Sequence, residues 1–169
     1  MISKGSQLEI ERILVPIDFS GHSRMALERA VLLANLVPNP VEIYAQNVFQ
    51  IPSGYHYTGK TEEEFVEVMI ANAKKDFEAF IKTVDTNGKE IKAIYSLNDN
   101  DDFVSDIKDE AKKLKANLII IGAKGQTTAS SLLIGSKAER MVMMDTESSM
   151  LVVRNKGEKS GFRDFLHDL

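Results

Sequence analysis

A chain of 169 residues has the length of one domain, and folding at this size removes roughly 70% of the unfolded accessible surface, enough for a core without disulfide or metal staples. The absence of cysteine excludes disulfides, thiolate zinc sites and cysteine nucleophiles and suits a reducing compartment. Twenty-five acidic against 21 basic residues give a net charge of −4, which opposes binding to a polyanion such as duplex DNA.

The opening MISKGSQLEI lacks the apolar stretch of a signal peptide, and no apolar run nears the roughly 18 residues that a membrane helix needs. His22, His56 and His167 have no partner at ligand spacing. The expectation is a cytoplasmic protein with no nucleic-acid partner, no membrane partner and no metal motif. Residues 1–10 read as an N-terminal extension, 11–154 as the domain, and 155–169 as a polar tail.

In chain order, Ile13–Ile17 is a short β-branched run followed by Asp18, Ser20 and Gly21, which are turn and cap types, and reads as a buried strand. From Ser23 to Leu36 apolar residues recur at helical spacing and stop before Pro38 and Pro40. Val41–Phe49 predicts the second strand and Ser53–Lys60 a loop. Thr61 with Glu64 is a capping-box pattern at the head of a long helix, whose inner face is Val66, Met69, Ala73, Phe77, Phe80, Ile81 and Val84, closed by Asn87-Gly88.

Ile91–Leu97 predicts strand three, Asp101–Lys115 helix three, and Leu118–Ile121 strand four. Ser136 with Glu139 offers a second capping box for helix four, and Met150–Val153 is strand five. Continuous apolar strands alternating with helices predict an α/β fold: an open parallel sheet covered on both faces.

In such folds a ligand sits beyond the carboxyl ends of the strands, where the strand order reverses. Strand four ends in Gly122-Ala123-Lys124-Gly125, and nine residues later come Gly135-Ser136 at a predicted helix start. Glycines let backbone N–H groups approach a phosphate, a helix N-terminus adds unpaired donors, Ser136 supplies a hydroxyl, and Lys124 or Lys137 a cation. Neither a Walker loop nor a GxGxxG fingerprint after the first strand is present. Taken alone, GxxG is more often plain turn chemistry.

The whole string, Gly122-xx-Gly125, nine residues, then Gly135-Ser136, resembles the nucleotide-binding signature of the universal stress protein family. Ile13-Leu-Val-Pro-Ile-Asp-Phe-Ser20 is similar to that family's first strand and its Pro-x-Asp-x-Ser ending, and Lys137-Ala-Glu-Arg-Met-Val142 to the helix after its Gly-Ser. The resemblance covers about residues 11–154. It implies a five-stranded parallel sheet in the order 3-2-1-4-5, a homodimer, and ATP with Mg²⁺ as ligand.

Carried over by residue, it implies Pro16, Asp18 and Val48 beside the adenosine, and Ile121, Gly122 and Gly125 at the ribose and first phosphate. Lys124 supplies charge between the glycines, and Gly135, Ser136 and Lys137 hold the outer phosphates. Lys124 stands where a histidine or arginine is common in the family, and residues 145–149 replace a Pro-containing approach to strand five. Thr127 and Thr128 have hydroxyls able to donate to a phosphate, although loop hydroxyls more often bond to water or backbone. Asp18 also fits a plainer reading, as a turn or cap residue heading helix one.

Other candidates have plain explanations. The run Asn98–Asp102 suggests a calcium loop, but the sixth position from Asp99 is Val104, inside a predicted helix, where such a loop needs glycine. Lys112, Lys113 and Lys115 read as a solvated helix face. Phe77 and Phe80 read as packing; Met141, Met143 and Met144 read first as core filling, with an adaptable interface as the alternative. Met150–Arg154, at the predicted sheet edge, favours pairing with a second copy. The functional expectation is an ATP-binding, nucleotide-dependent stress-response module. The alternatives are a weak ATPase or phosphotransferase using the same pocket, and a purely structural dimerisation module.

Overall fold

The structure, a computed structural model, describes residues 10–99, 101–123, 136–143 and 147–154, with the side chains of 136–138 excepted. Five strands, β1 (Arg12–Ile17), β2 (Glu42–Phe49), β3 (Ile91–Leu97), β4 (Leu118–Gly122) and β5 (Ser149–Val153), form one sheet. Every pairing is parallel and the order is β3-β2-β1-β4-β5, as expected. The helices are α1 (Gly21–Leu36), α2 (Glu62–Ile81), α3 (Phe103–Leu114) and α4 (Ser136–Val142).

Side-chain alternation along the strands builds two cores. Ile13, Val15, Ile17, Ile43, Ala45, Leu118 and Ile120 meet α1 through Ala26, Leu27, Ala30 and Val31, together with Phe80 and Val84. On the opposite face Leu14, Ile119 and Ile121 meet Val104, Ile107 and Ala111 of α3 and Met141 of α4. Helices α1 and α2 thus lie on one face and α3 and α4 on the other, so the chain reverses direction across the sheet between β1 and β4.

Local chemistry sets the element ends. The Thr61 hydroxyl accepts from the Glu64 N–H at 3.2 Å and the Glu64 carboxylate accepts from the Thr61 N–H at 2.9 Å, completing the expected capping box. Helix α2 nevertheless ends at Ile81, not at Asn87-Gly88. Those two residues do take positive φ, 47° and 75°, but in the turn leading into β3, because Thr83 and Val84 already bond back to Phe80 and Ile81.

The expected loop over 53–60 contains a 3₁₀ turn at Tyr55–Thr58, held by the Thr58 hydroxyl on the Tyr55 carbonyl and by stacking of Tyr55 on His56. Helix α1 starts two residues earlier than the apolar pattern suggested, since Ser20 caps it by accepting from the Ser23 N–H. In α4, Ser136 is the first helical residue and not the cap before it.

Val104 is a buried residue of α3, whose cap is Asp102, accepting from the Ser105 N–H. Of the three methionines, Met141 is buried and Met143 is 78% exposed, against the packing expected of it; Met144 lies outside the described residues. Phe80 is core, and Phe77 packs partly buried against the same cluster. Lys112, Lys113 and Lys115 are exposed.

Candidate functional site

The register between β1 and β4 holds only two pairs, Ile13↔Leu118 and Leu14↔Ile119, whereas β1 and β2 share six. Continued along the strands, the same register brings Pro16 level with Ile121. Pro16 has no N–H to extend the ladder. The carboxyl ends of β1 and β4 therefore carry no paired register, at the point where α1 and α4 leave toward opposite faces.

By alternation Pro16, Val48 and Ile121 lie on the α3–α4 face at the carboxyl ends of three adjacent strands. Val48 and Ile121 belong to that face's cluster, and Pro16 follows Leu14 by two. Pro16 and Val48 are half-buried and Ile121 is buried. Together they form an apolar wall, the chemistry suited to one face of a planar ring.

Asp18 stands at the lip, exposed, in a turn that Phe19 makes by adopting φ 62°. A non-glycine residue costs energy there, and the Phe19 ring recovers part of it by meeting Phe80 edge-on at 5.6 Å. The Asp18 carboxylate accepts from the Ser20 N–H at 3.1 Å and from the Ser23 hydroxyl, while the Asp18 N–H donates to Ser23 Oγ at 2.9 Å. Partial burial pushes the Asp18 carboxyl up, but the Ser20 and Ser23 hydroxyls and the backbone N–H groups outweigh it and hold it below its ordinary value. Asp18 is thus the turn residue heading helix one, and both contacts use Oδ1.

Gly122 lies on the other face. A Cβ built on it falls 2.3 Å from the His22 carbonyl oxygen and 2.6 Å from its carbon. The missing side chain is therefore what lets the first turn of α1 approach the end of β4. Valine at 122 would therefore disturb the interior at the start of α1 as well as any ligand beside it. Asp18 and Gly122 do come together, around the start of α1, and the next residue, Ala123, is tied to β5 by its N–H on the Val153 carbonyl at 2.9 Å.

Lys124, Gly125, Thr127, Thr128 and Gly135 lie outside the described residues; Ser136 and Lys137 are described as backbone only, in the first turn of α4. The sequence reading missed Asn47. It is buried on β2 and donates from Nδ2 to the Ile17 carbonyl at 3.1 Å, fixing the end of β1 from the side. The signal was present as two polar residues, Gln46-Asn47, inside an apolar strand.

An open, doubly wound α/β domain whose strand ends part at the switch point belongs to the class of folds that bind ligands there. A sequence model of the universal stress protein family matches residues 9–154, and the chain belongs to that family. No curated protein matches it.

Solved structures share the fold at low identity. The hypothetical protein MJ0577 is 23% identical with a TM-score of 0.65, over 87% of this chain and 97% of that one. A universal stress protein in complex with cAMP is 17% identical with a TM-score of 0.53, over 86% of this chain and 97% of its own. A universal stress protein from Archaeoglobus fulgidus in complex with dAMP is 18% identical with a TM-score of 0.53, over 86% and 98%.

Proposed function

We propose that this universal stress protein binds an adenine nucleotide, ATP in the first instance, between the carboxyl ends of β1 and β4, and acts as a nucleotide-dependent regulatory module. The observation that carries the reading is the unpaired register of β1 and β4 beside the wall of Pro16, Val48 and Ile121. The adenosine lies on that wall, with Asp18 accepting from base or sugar. The phosphates run toward the segment of Lys124, Gly125, Gly135, Ser136 and Lys137, where Mg²⁺ accompanies them. The cAMP and dAMP complexes of fold relatives support an adenine ligand.

Binding, and not turnover, is the primary activity. A carboxylate held below its ordinary value by hydrogen bonds from the Ser20 N–H and the Ser23 hydroxyl is a poor general base near neutral pH. The module works as a homodimer through β5, an edge strand with one partner, β4.

Heat-denaturing the purified protein and identifying the released small molecules tests the reading. A released adenine nucleotide, or a rise in Tm on adding Mg-ATP, is expected. Saturation at a hundredfold over Kd adds about 2.7 kcal/mol to stability. Neither nucleotide nor thermal shift would leave the structural dimerisation reading in its place.

A further inference from the structure

Helix α1 is apolar on two sides. Ser23, Ala26, Leu27, Ala30, Val31 and Ala34 face the sheet and are buried. At about 100° per residue, Met25, Leu32 and Leu36 fall together on the opposite side, pointing away from the sheet. Leu32 is 46% and Leu36 70% exposed, and Met25 is half-buried. The strands that α1 packs on, β1, β2, β4 and β5, all lie on its buried side. Single exposed leucines are ordinary on a protein surface. Three large apolar residues aligned over about three turns opposite the core are the pattern of a helix covered on both faces.

Two charges flank the stripe. Arg29 borders it on one side, exposed and outside every ion pair of the described residues. Glu28 borders it on the other, held by Arg24 at 3.9 Å.

The sequence beyond β5 supplies a matching face. Phe162, Phe165, Leu166 and Leu169 follow the spacing i, i+3, i+4, i+7, which on a helix is one apolar stripe, with Arg163 on one flank and Asp168 on the other. Laid face to face with α1 in the parallel sense, such a helix brings Arg163 to the side of Glu28 and Asp168 to the side of Arg29. In the antiparallel sense like charges meet on both sides.

Reach favours the same direction. Val153 pairs with Gly122, and Gly122 lies against the His22 backbone in the first turn of α1, so the chain leaves β5 about 5 Å to the side of that contact. Residues 155–161 can span up to about 25 Å. That is enough to climb the roughly 10 Å width of a helix and join the stripe near Met25, about 5 Å along α1 from His22. From there the segment runs on with α1 toward Leu36.

We propose that residues 162–169 dock as a short amphipathic helix on the outer face of α1, parallel to it, with their apolar stripe on Met25, Leu32 and Leu36. A helix this short is marginal alone in water, so it forms on contact, and the contact makes α1 a helix buried on both faces.

The test is NOE spectroscopy on the full chain, labelled at Met and Leu methyls, together with isotope-filtered NOEs on a mixture of labelled and unlabelled copies. Within one copy, NOEs are expected from the Phe162 and Phe165 rings to the methyls of Met25 and Leu32, and from Leu169 to Leu36. Amide exchange over 162–169 should be slowed at least about tenfold. Leu36→Lys changes an exposed position and should abolish both signals, with unchanged resonances of β1 as the check on folding. Arg29→Asp should speed the exchange about threefold, and adding Asp168→Arg should restore it.

Fast exchange throughout 162–169 with no NOE to α1 would overturn the proposal. So would NOEs from this segment to a different element, or a charge-swapped double variant no better than the single one. NOEs found only between labelled and unlabelled copies would overturn it too, by putting a second chain on the face. The contact uses no ligand between β1 and β4, so failure of the nucleotide reading leaves it standing.

Discussion

At the residue scale, Gly122 and Asp18 anchor the start of α1 from two sides. Gly122 has no positive φ, so alanine there would gain about 0.4–1 kcal/mol through the unfolded chain. The clash with the His22 backbone outweighs this, because a helix turn must move and overpacking costs about 1–3 kcal/mol. Gly122→Ala should therefore lower stability in urea unfolding, and an unchanged midpoint would contradict the close approach. Asp18 carries the pH dependence. Its folded pKa lies below the model-compound value of 3.8, so its stabilising contribution is present above that value and is lost as pH falls through the folded one. The stability difference between the wild type and Asp18→Asn should be full at neutral pH and shrink below about pH 4; a difference that grows on acidification would reverse the sign. Gly122 shows how a sequence conceals purpose, since a glycine beside a phosphate and a glycine under a helix are the same letter.

At the element scale, the strands were legible because each is a short, mainly apolar run ending at a glycine or a polar residue, and β3 was read to the residue. Helix ends were legible only where a side chain makes them. Thr61 and Glu64 announced the head of α2, and Thr61→Ala should cost about 1 kcal/mol in thermal unfolding, or nothing if the box is idle. The end of α2 was not legible, because backbone bonds at Thr83 and Val84 set it with no marker residue. Strand β5 carries the dimer prediction. The Ser149 N–H and the Val153 carbonyl bond inward, to Asn117 and Ala123, so by alternation the Val152 N–H points outward, where proline is tolerated on an edge. Val152→Pro should convert a sedimenting dimer to a folded monomer. A dimer that persists would move the interface elsewhere.

At the scale of the molecule, the strand order and the switch point were legible because the order of strands and helices leaves few topologies, and the resemblance selected one. The polar residues under the sheet were not. Gln46 and Asn47 meet partners 50 and 30 positions away, and such long-range contacts leave no local pattern. The account rests on an adenine nucleotide occupying the ends of β1 and β4. The most direct measurement is a methyl-labelled NMR titration with Mg-ATP. The methyls of Val48 and Ile121 should shift saturably while that of Ile94, on β3, stays still. No saturable shift at Val48 and Ile121, or shifts confined to Ile94 and α3, would contradict it.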